Sequence, residues 1–260
     1  MPRSLSLVLV SLLLAAPLVA CAEPEAGPET VPPEVATVLL DLPGATPEQM
    51  NEAAEVVRAR VQALDLQIGE IGWDDAAIEV IVPAADEQLV RSALRSTGDL
   101  EFRPVLAVLH PSSAPTTTPP AARPEDQPVV ASDAGGVTYQ LGPAAVDASG
   151  IESAAATSTP GGDWSVDPVF RASPDGIDAF NALASACFTG DGTCPPVTPE
   201  GRGMVAILVD GTVLVAPTIN VASFERDQIQ ISSDFDETSA RALAATLGAG
   251  AAPLAWTVRD

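Results

Sequence analysis

The chain has 260 residues, 47% of them hydrophobic but only 4% aromatic, so its cores must be built from Ala, Val, Leu and Ile, and the length suits one or two ordinary domains. Twelve Arg, no Lys and 35 acidic residues give a formal charge of -23 and a pI near 4.1. Such a surface repels phosphate backbones and anionic lipid headgroups, which excludes nucleic acid as a partner and assigns the acidity to solubility.

Arg3 precedes Leu5 to Leu18, an apolar stretch shorter than the about 20 residues that a bilayer crossing takes, and this is the layout of a secretory signal over residues 1–20. It closes with Leu18, Val19, Ala20 and Cys21, which resembles the bacterial lipobox. That resemblance implies diacylglyceryl transfer to the Cys21 sulfur, cleavage before it and acylation of the new amino terminus. Two or three acyl chains hold an acidic protein at a membrane without a basic patch. The alternative is a soluble secreted protein with Cys21 merely near the cleavage site. Residues 21–35, rich in Pro, Glu and Ala, read as a disordered tether. No later segment is long and apolar enough to span, so the mature chain is expected on the extracytoplasmic face of the cell membrane.

Residues 36–109 read as a first subdomain. Ala36–Leu42 is a strand, and Pro47–Leu64 a helix with Thr46 and Gln49 as a capping box, Pro47 in the first turn, and Met50, Ala54, Val57, Val61 and Leu64 in one stripe. Ile68–Trp73 and Ala77–Val82 alternate as two strands around a turn at Asp74 and Asp75. Asp86 caps a second helix carrying Leu89, Val90, Ala93 and Leu94, closed by Gly98, and Leu100–Val105 is the strand after it. The order β, α, β, β, α, β is that of a ferredoxin-like unit, and the fold class expected is α+β, with this base joined to a second α+β head.

Residues 110–136, rich in Pro, Ser and Thr, are expected to be an irregular linker, and residues 137–260 to form the head, its last strand returning to the base. Strands are expected at Val137–Leu141, Ile151–Ser158, Trp164–Phe170 and Gln228–Ser232, and helices from Ser173 and Pro174 and over Asp236–Leu247, with a final strand at Leu254–Val258. The strongest local signal is MVAILVDGTVLVAPTIN: Asp210 and Gly211 both tolerate the positive φ of a type I′ turn, so Val205–Val209 folds back on Thr212–Val215, and Pro217 ends the ladder or marks a sheet edge.

Chemistry is scarce. His110 is the only histidine and has no second ligand beside it. Gly248, Ala249 and Gly250 follow a helix instead of opening one, so they cap it and cradle no phosphate. Asp191 is the only carboxylate in TGDGT, too few for a calcium cage, and Asp74 and Asp75 read as solvated turn residues. No metal, no cofactor and no enzymatic activity are expected. Cys187 and Cys194 enclose CFTGDGTC and, in an exported protein, read as a disulfide, with a free buried Cys187 as the alternative. Phe188, Phe224 and Phe235 fall at element ends, where they either form a groove for extended peptide or pack into the core.

AILVDGTVLVAPTIN, IQISSDFDETSARALAATLGAGAAPL, LEFRPVL and YQLGPAAVDASGIESA together resemble the large extracytoplasmic domain of the SecD family, accessory membrane subunits of the bacterial Sec translocation channel. The resemblance runs from about Ala36 to Asp260 and implies a base, a head and contact with unfolded protein as it emerges. Family members carry membrane helices on both sides of this domain and couple proton flow to its movement through intramembrane carboxylates. Here a lipobox stands in place of the first helix, so the expectation is a lipoprotein without its own proton coupling that binds emerging polypeptide beside the Sec translocon. The other expectation is an envelope interaction module that holds another protein or a wall polymer.

Overall fold

The computed structural model describes residues 34–66, 69–74, 77–109 and 128–259. The signal, residues 21–33 of the expected tether with Cys21, Asp75 and His110 lie outside these residues, and Val35 at the expected tether's end belongs to the first strand. The base begins with β1 (Val35–Asp41), α1 (Pro47–Ala63), β2 (Ile71–Trp73), β3 (Ala77–Pro83) and α2 (Glu87–Arg95). The capping box forms: the Thr46 hydroxyl accepts from Gln49 N at 3.3 Å, and the Gln49 side chain accepts from Thr46 N at 2.9 Å. α1 then buries Met50, Ala53, Ala54, Val57 and Val61 against Val38 and Leu40 of β1 and Ile78, Val80 and Val82 of β3.

The fourth strand of this sheet is not the one expected. Leu100 to Val105 is buried on both faces, which suits only the interior of a sheet covered on both sides, whereas the base sheet has an outer face with exposed Val35 and Thr37. The strand β4 (Leu100–Leu109) therefore crosses into the head. The edge beside β1 is filled from the far end of the sequence by β13 (Thr257–Val258), with Leu40 opposite Val258, giving the order β13-β1-β3-β2. Sequence order β, α, β, β, α is thus completed by a segment about 160 residues downstream.

In the head, β4 is the centre of a curled sheet with β5 (Val129–Ser132), β6 (Thr138–Leu141), β10 (Val205–Val209) and β11 (Thr212–Val215), in the order β11-β10-β4-β6-β5, and β7 (Val146–Asp147) also pairs with β4. A bridge between Asp133 and Val213 brings its two edges together around Val105, Tyr139, Leu141, Ala206, Leu208 and Val213. β5 lies in the segment expected to be irregular; its Val-Val-Ala run is short, and the Pro-rich residues ahead of it mask the signal. A second sheet of β8 (Ile151–Ser158), β9 (Trp164–Phe170) and β12 (Ile231–Phe235) runs in the order β12-β9-β8.

Two helices complete the head, α3 (Ala179–Thr189) and α4 (Glu237–Ala249). The helix expected from Ser173 starts only at Ala179, after a wide turn over Pro174–Asp178. Gly176 makes that turn possible, because a Cβ there would sit 2.3 Å from the Arg171 carbonyl oxygen. α4 is buried on two sides: Ala240, Ala244 and Leu247 enter the head core, while Ala242 and Ala245 enter the base core beside Trp256. Only small side chains allow a helix to be packed this closely on both sides.

A candidate polypeptide-binding groove

The Asp210–Gly211 hairpin forms as a two-residue turn, with φ of 50° and 75° and Val209 opposite Thr212. The ladder of β11 ends at Val215, but pairing does not stop at Pro217: the Pro217 carbonyl accepts from Val205 N at 3.1 Å, and Ile219 N donates to the Gly203 carbonyl at 3.1 Å. Proline lacks only the donor, so the chain stays extended along β10 and carries Ile219 into the core.

This extended segment walls a groove of about 350 Å³ lined by Phe180, Val205, Ile207, Pro217, Ile219 and Phe224, with Asn220, Gln228 and Gln230 at the rim. No charged side chain lines it, so it suits apolar side chains irrespective of what flanks them. Its floor is continuous with an aromatic cluster: Phe180 stands 5.5 Å from Phe102, 5.0 Å from Phe170 and 5.6 Å from Phe224, in tilted and edge-on arrangements. Val221 at the lip is 52% exposed. Asn181 of α3 clamps the Phe224 backbone, accepting from Phe224 N at 2.8 Å and donating to the Phe224 carbonyl at 3.1 Å. The groove wall is thereby tied to a helix instead of hanging as a free loop.

Phe188, Phe224 and Phe235 do not converge. Phe224 is half-buried in this groove, whereas Phe235 lines a separate cleft of about 450 Å³ with Gln88, Ser92, Asp236 and Leu243. Phe188 is half-buried under the Arg202 guanidinium, 3.6 Å from its ring centroid, and its carbonyl accepts from Arg202. A further cleft of about 580 Å³ runs between α3 residues Ala179, Ala182 and Ala186 and the Pro143–Ala145 segment beside Pro104 and Leu106. Its small side chains carry no sequence signal of a binding surface.

Cys187 and Cys194 form a disulfide with a Cα–Cα distance of 4.8 Å. The loop it closes is shaped by Asp191, which accepts from Thr193 Oγ1 at 2.7 Å, Thr193 N at 2.9 Å and Cys194 N at 3.3 Å. The Thr193 hydroxyl and amide hold the Asp191 carboxyl below its usual 3.8. The carboxylate thus serves the turn. Asp74 likewise accepts from Ala77 N at 3.0 Å. Gly250, at φ of 82°, follows the end of α4. Among the described residues no group of three His, Cys, Asp or Glu side chains is placed to hold a metal ion.

The hairpin tip has a second role. The Asp210 carboxylate accepts from Thr97 Oγ1 at 2.5 Å and from Thr97 N and Asp99 N at 3.2 Å each, so the head hairpin is fastened to the loop that leaves the base. Beneath that loop Arg60 of α1 is fully buried. Its guanidinium donates to the carbonyls of Ala93 at 3.4 Å, Thr97 at 2.7 Å and Gly250 at 3.1 Å and to that of Ser96, and lies 5.0 Å from the Trp256 ring centroid. Burial pulls its pKa down to about 10, opposed by the Asp210 charge. Glycine is required at 98, where φ is 82° and a Cβ would meet Arg60 at 2.7 Å. A second buried cation, Arg103 of β4, pairs with Glu101 through bonds of 2.8 and 2.6 Å and donates to the Gly142 carbonyl at 2.9 Å. Helical or strand periodicity alone assigns such residues to solvent, and nothing in the sequence around Arg60 signals otherwise.

Comparison with known proteins places this architecture. Residues 127–254 match the family model described as the SecDF P1 head subdomain. The protein translocase subunit SecDF of Brucella abortus biovar 1 (strain 9-941) is 27% identical over 270 residues, covering 97% of this chain and 33% of its own length. This chain therefore spans about a third of that relative. Two solved structures share the fold. A crystal structure of SecDF in a super-membrane-facing form has a TM-score of 0.57 at 21% identity, covering 87% of this chain and 29% of its own. A structure of SecDF, described as a membrane component that enhances protein export, has a TM-score of 0.55 at 20% identity, covering 86% of this chain and 98% of its own. The chain is thus SecD-like in fold, and over residues 127–254 it is similar to the SecDF P1 head subdomain.

Proposed function

We propose that this domain works on the extracytoplasmic side of the membrane in protein translocation, as a non-catalytic holder of emerging, unfolded polypeptide. The observation that carries this reading is the groove of Phe180, Ile207, Ile219 and Phe224, uncharged on a chain of net charge -23 and braced by Asn181. Apolar side chains of an unfolded segment gain by leaving water there, at roughly 25 cal/mol per Å² of surface covered. The uncharged rim of Asn220, Gln228 and Gln230 adds hydrogen bonds for a passing backbone. The SecDF relatives support the process, and the lipobox cysteine Cys21 supports a lipid anchor in the cell membrane. Such a domain acts by binding, and any proton coupling belongs to Sec translocon partners.

Photocrosslinking in living cells tests this. A photoreactive residue in place of Val221 at the lip should capture secretory precursors and translocon subunits. A single folded envelope component as the dominant adduct would instead make the domain an envelope interaction module.

A further inference from the structure

We propose that the free edge of β8 takes an extended polypeptide segment as an added strand, which supplies sequence-independent grip beside the apolar groove; this rests on the polypeptide-holding reading above. β8 is at the end of its sheet, and among the described residues it pairs only with β9. Its register with β9 is unbroken from Ser153, opposite Val169, to Ser158, opposite Trp164. Six residues in register make a ladder of about 20 Å.

Thr159 N donates to the Asp163 carbonyl at 2.8 Å, which sets the phase of the ladder. Thr157, Ala155 and Ser153 therefore turn their backbone groups toward β9, and Ala154, Ala156 and Ser158 turn theirs outward; Gly248 of α4 lies against the Ala154 backbone, so the open stretch is Ala156–Ser158. Pro168, opposite Ala154, fits this phase because its position needs no amide toward β8. Proteins ordinarily blunt such an edge with Lys, Pro, a bulge or a covering element. Ser153–Ser158, SAAATS, has none of the first three: the one irregularity lies before Ser153, and the charge that precedes it on the strand, Glu152, pairs with Arg226 at 2.9 Å. α4 covers the inner face through Ala154 and Ala156, and Ser153, Ala155 and Thr157 stand exposed on the outer one.

The occupant follows from side-chain size and charge. Ala, Ser and Thr offer no pockets, so recognition rests on main-chain hydrogen bonds that any unfolded segment can make. Asp167, opposite Ala155 on β9 and accepting from Gln230 at 3.0 Å, and Asp163 in the β8–β9 turn make the neighbouring strand and turn acidic, which favours neutral or basic segments. A second copy of this chain, itself at -23, is repelled.

The experiment uses the full chain and a synthetic peptide of alternating Thr and Val flanked by Arg. On adding peptide, amide hydrogen exchange at Ala156 and Ser158 should slow by roughly tenfold or more, with Ser153, Ala155 and Thr157 already protected. Ala156→Pro removes an outward amide without touching the β8–β9 ladder, and should weaken peptide binding by roughly tenfold while circular dichroism stays unchanged. Peptide that binds equally well to Ala156→Pro and protects only residues around Phe224 overturns the edge and leaves the groove standing. Peptide that does not bind at all, together with no precursor captured from Val221, overturns both. Protection of Ala156 and Ser158 that depends on protein concentration without peptide assigns the edge to a second copy and also overturns the proposal.

Discussion

Replacing Arg60 with Met probes how the domain is held together, because one side chain gathers three separate stretches of the chain. Its guanidinium bonds the carbonyls of Ala93, Ser96, Thr97 and Gly250, at the end of α2, in the loop entering β4 and at the end of α4. Hydrogen bonds from a charged donor are each worth about 1.5 to 3 kcal/mol, so the gain is roughly 6 kcal/mol or more. Against this stands burial of the cation: its pKa of about 10, down from 12.5, corresponds to a cost of roughly 3 kcal/mol. The balance favours Arg60 by about 3 kcal/mol, and for a domain of this size that lowers Tm by about 6 to 12 °C in Arg60→Met. Urea titration and calorimetry measure both quantities. Burying a cation is often no better than packing an apolar side chain of similar volume. An Arg60→Met variant as stable as the natural chain, or more so, would show that the carbonyl cluster is only a tolerated arrangement.

Asn181→Ala should cost about 1 to 3 kcal/mol, since it strips both bonds from a half-buried Phe224 backbone, and exchange at the Phe224 amide should accelerate with it. Asn181→Asp keeps the acceptor and should lose less, so equal effects of the two variants would count against the clamp. Cys187→Ser with Cys194→Ser opens a short loop and should cost about 2.5 kcal/mol; thiol labelling that is equal with and without reductant would show the bond is not formed. The capping Asp236 carboxyl is held below its ordinary 3.8 by the Ser239 hydroxyl and amide. Its contribution is therefore complete above that value and is lost as pH falls below it. Tm of the natural chain should fall toward that of Asp236→Asn as pH drops from 5 to 3, and a gap that widens on acidification would contradict this.

Much of the fold is legible because local signals agree with it. Thr46, Pro47 and Gln49 start α1, Asp210 and Gly211 turn the hairpin, and α4 stops before Gly250, each through backbone preferences that act within a few residues. What cannot be read locally is which sheet a strand joins. Leu100–Val105 looks like the last strand of the base, and only its burial on both faces shows that it is the centre of the head, its place beside β1 taken by Thr257 and Val258. Of the candidate site, Phe224 is legible as an aromatic at an element end, whereas Phe188 and Phe235 carry the same signal and sit elsewhere. Asn181 is silent in sequence, since a polar residue on a helix ordinarily faces water. Arg60 and Arg103 are silent for the same reason, their partners being backbone carbonyls or, for Arg103, a neighbouring Glu on the same strand face.

The groove of Phe180, Ile219 and Phe224 is where the head is proposed to hold unfolded polypeptide. The most direct measurement of this is photocrosslinking in living cells from position 221, compared with the exposed Glu52 on α1 of the base. Adducts with many secretory precursors are expected from position 221, lost when export is blocked, and few from position 52. Equal precursor capture from both positions, or one folded envelope component dominating at position 221, would contradict this.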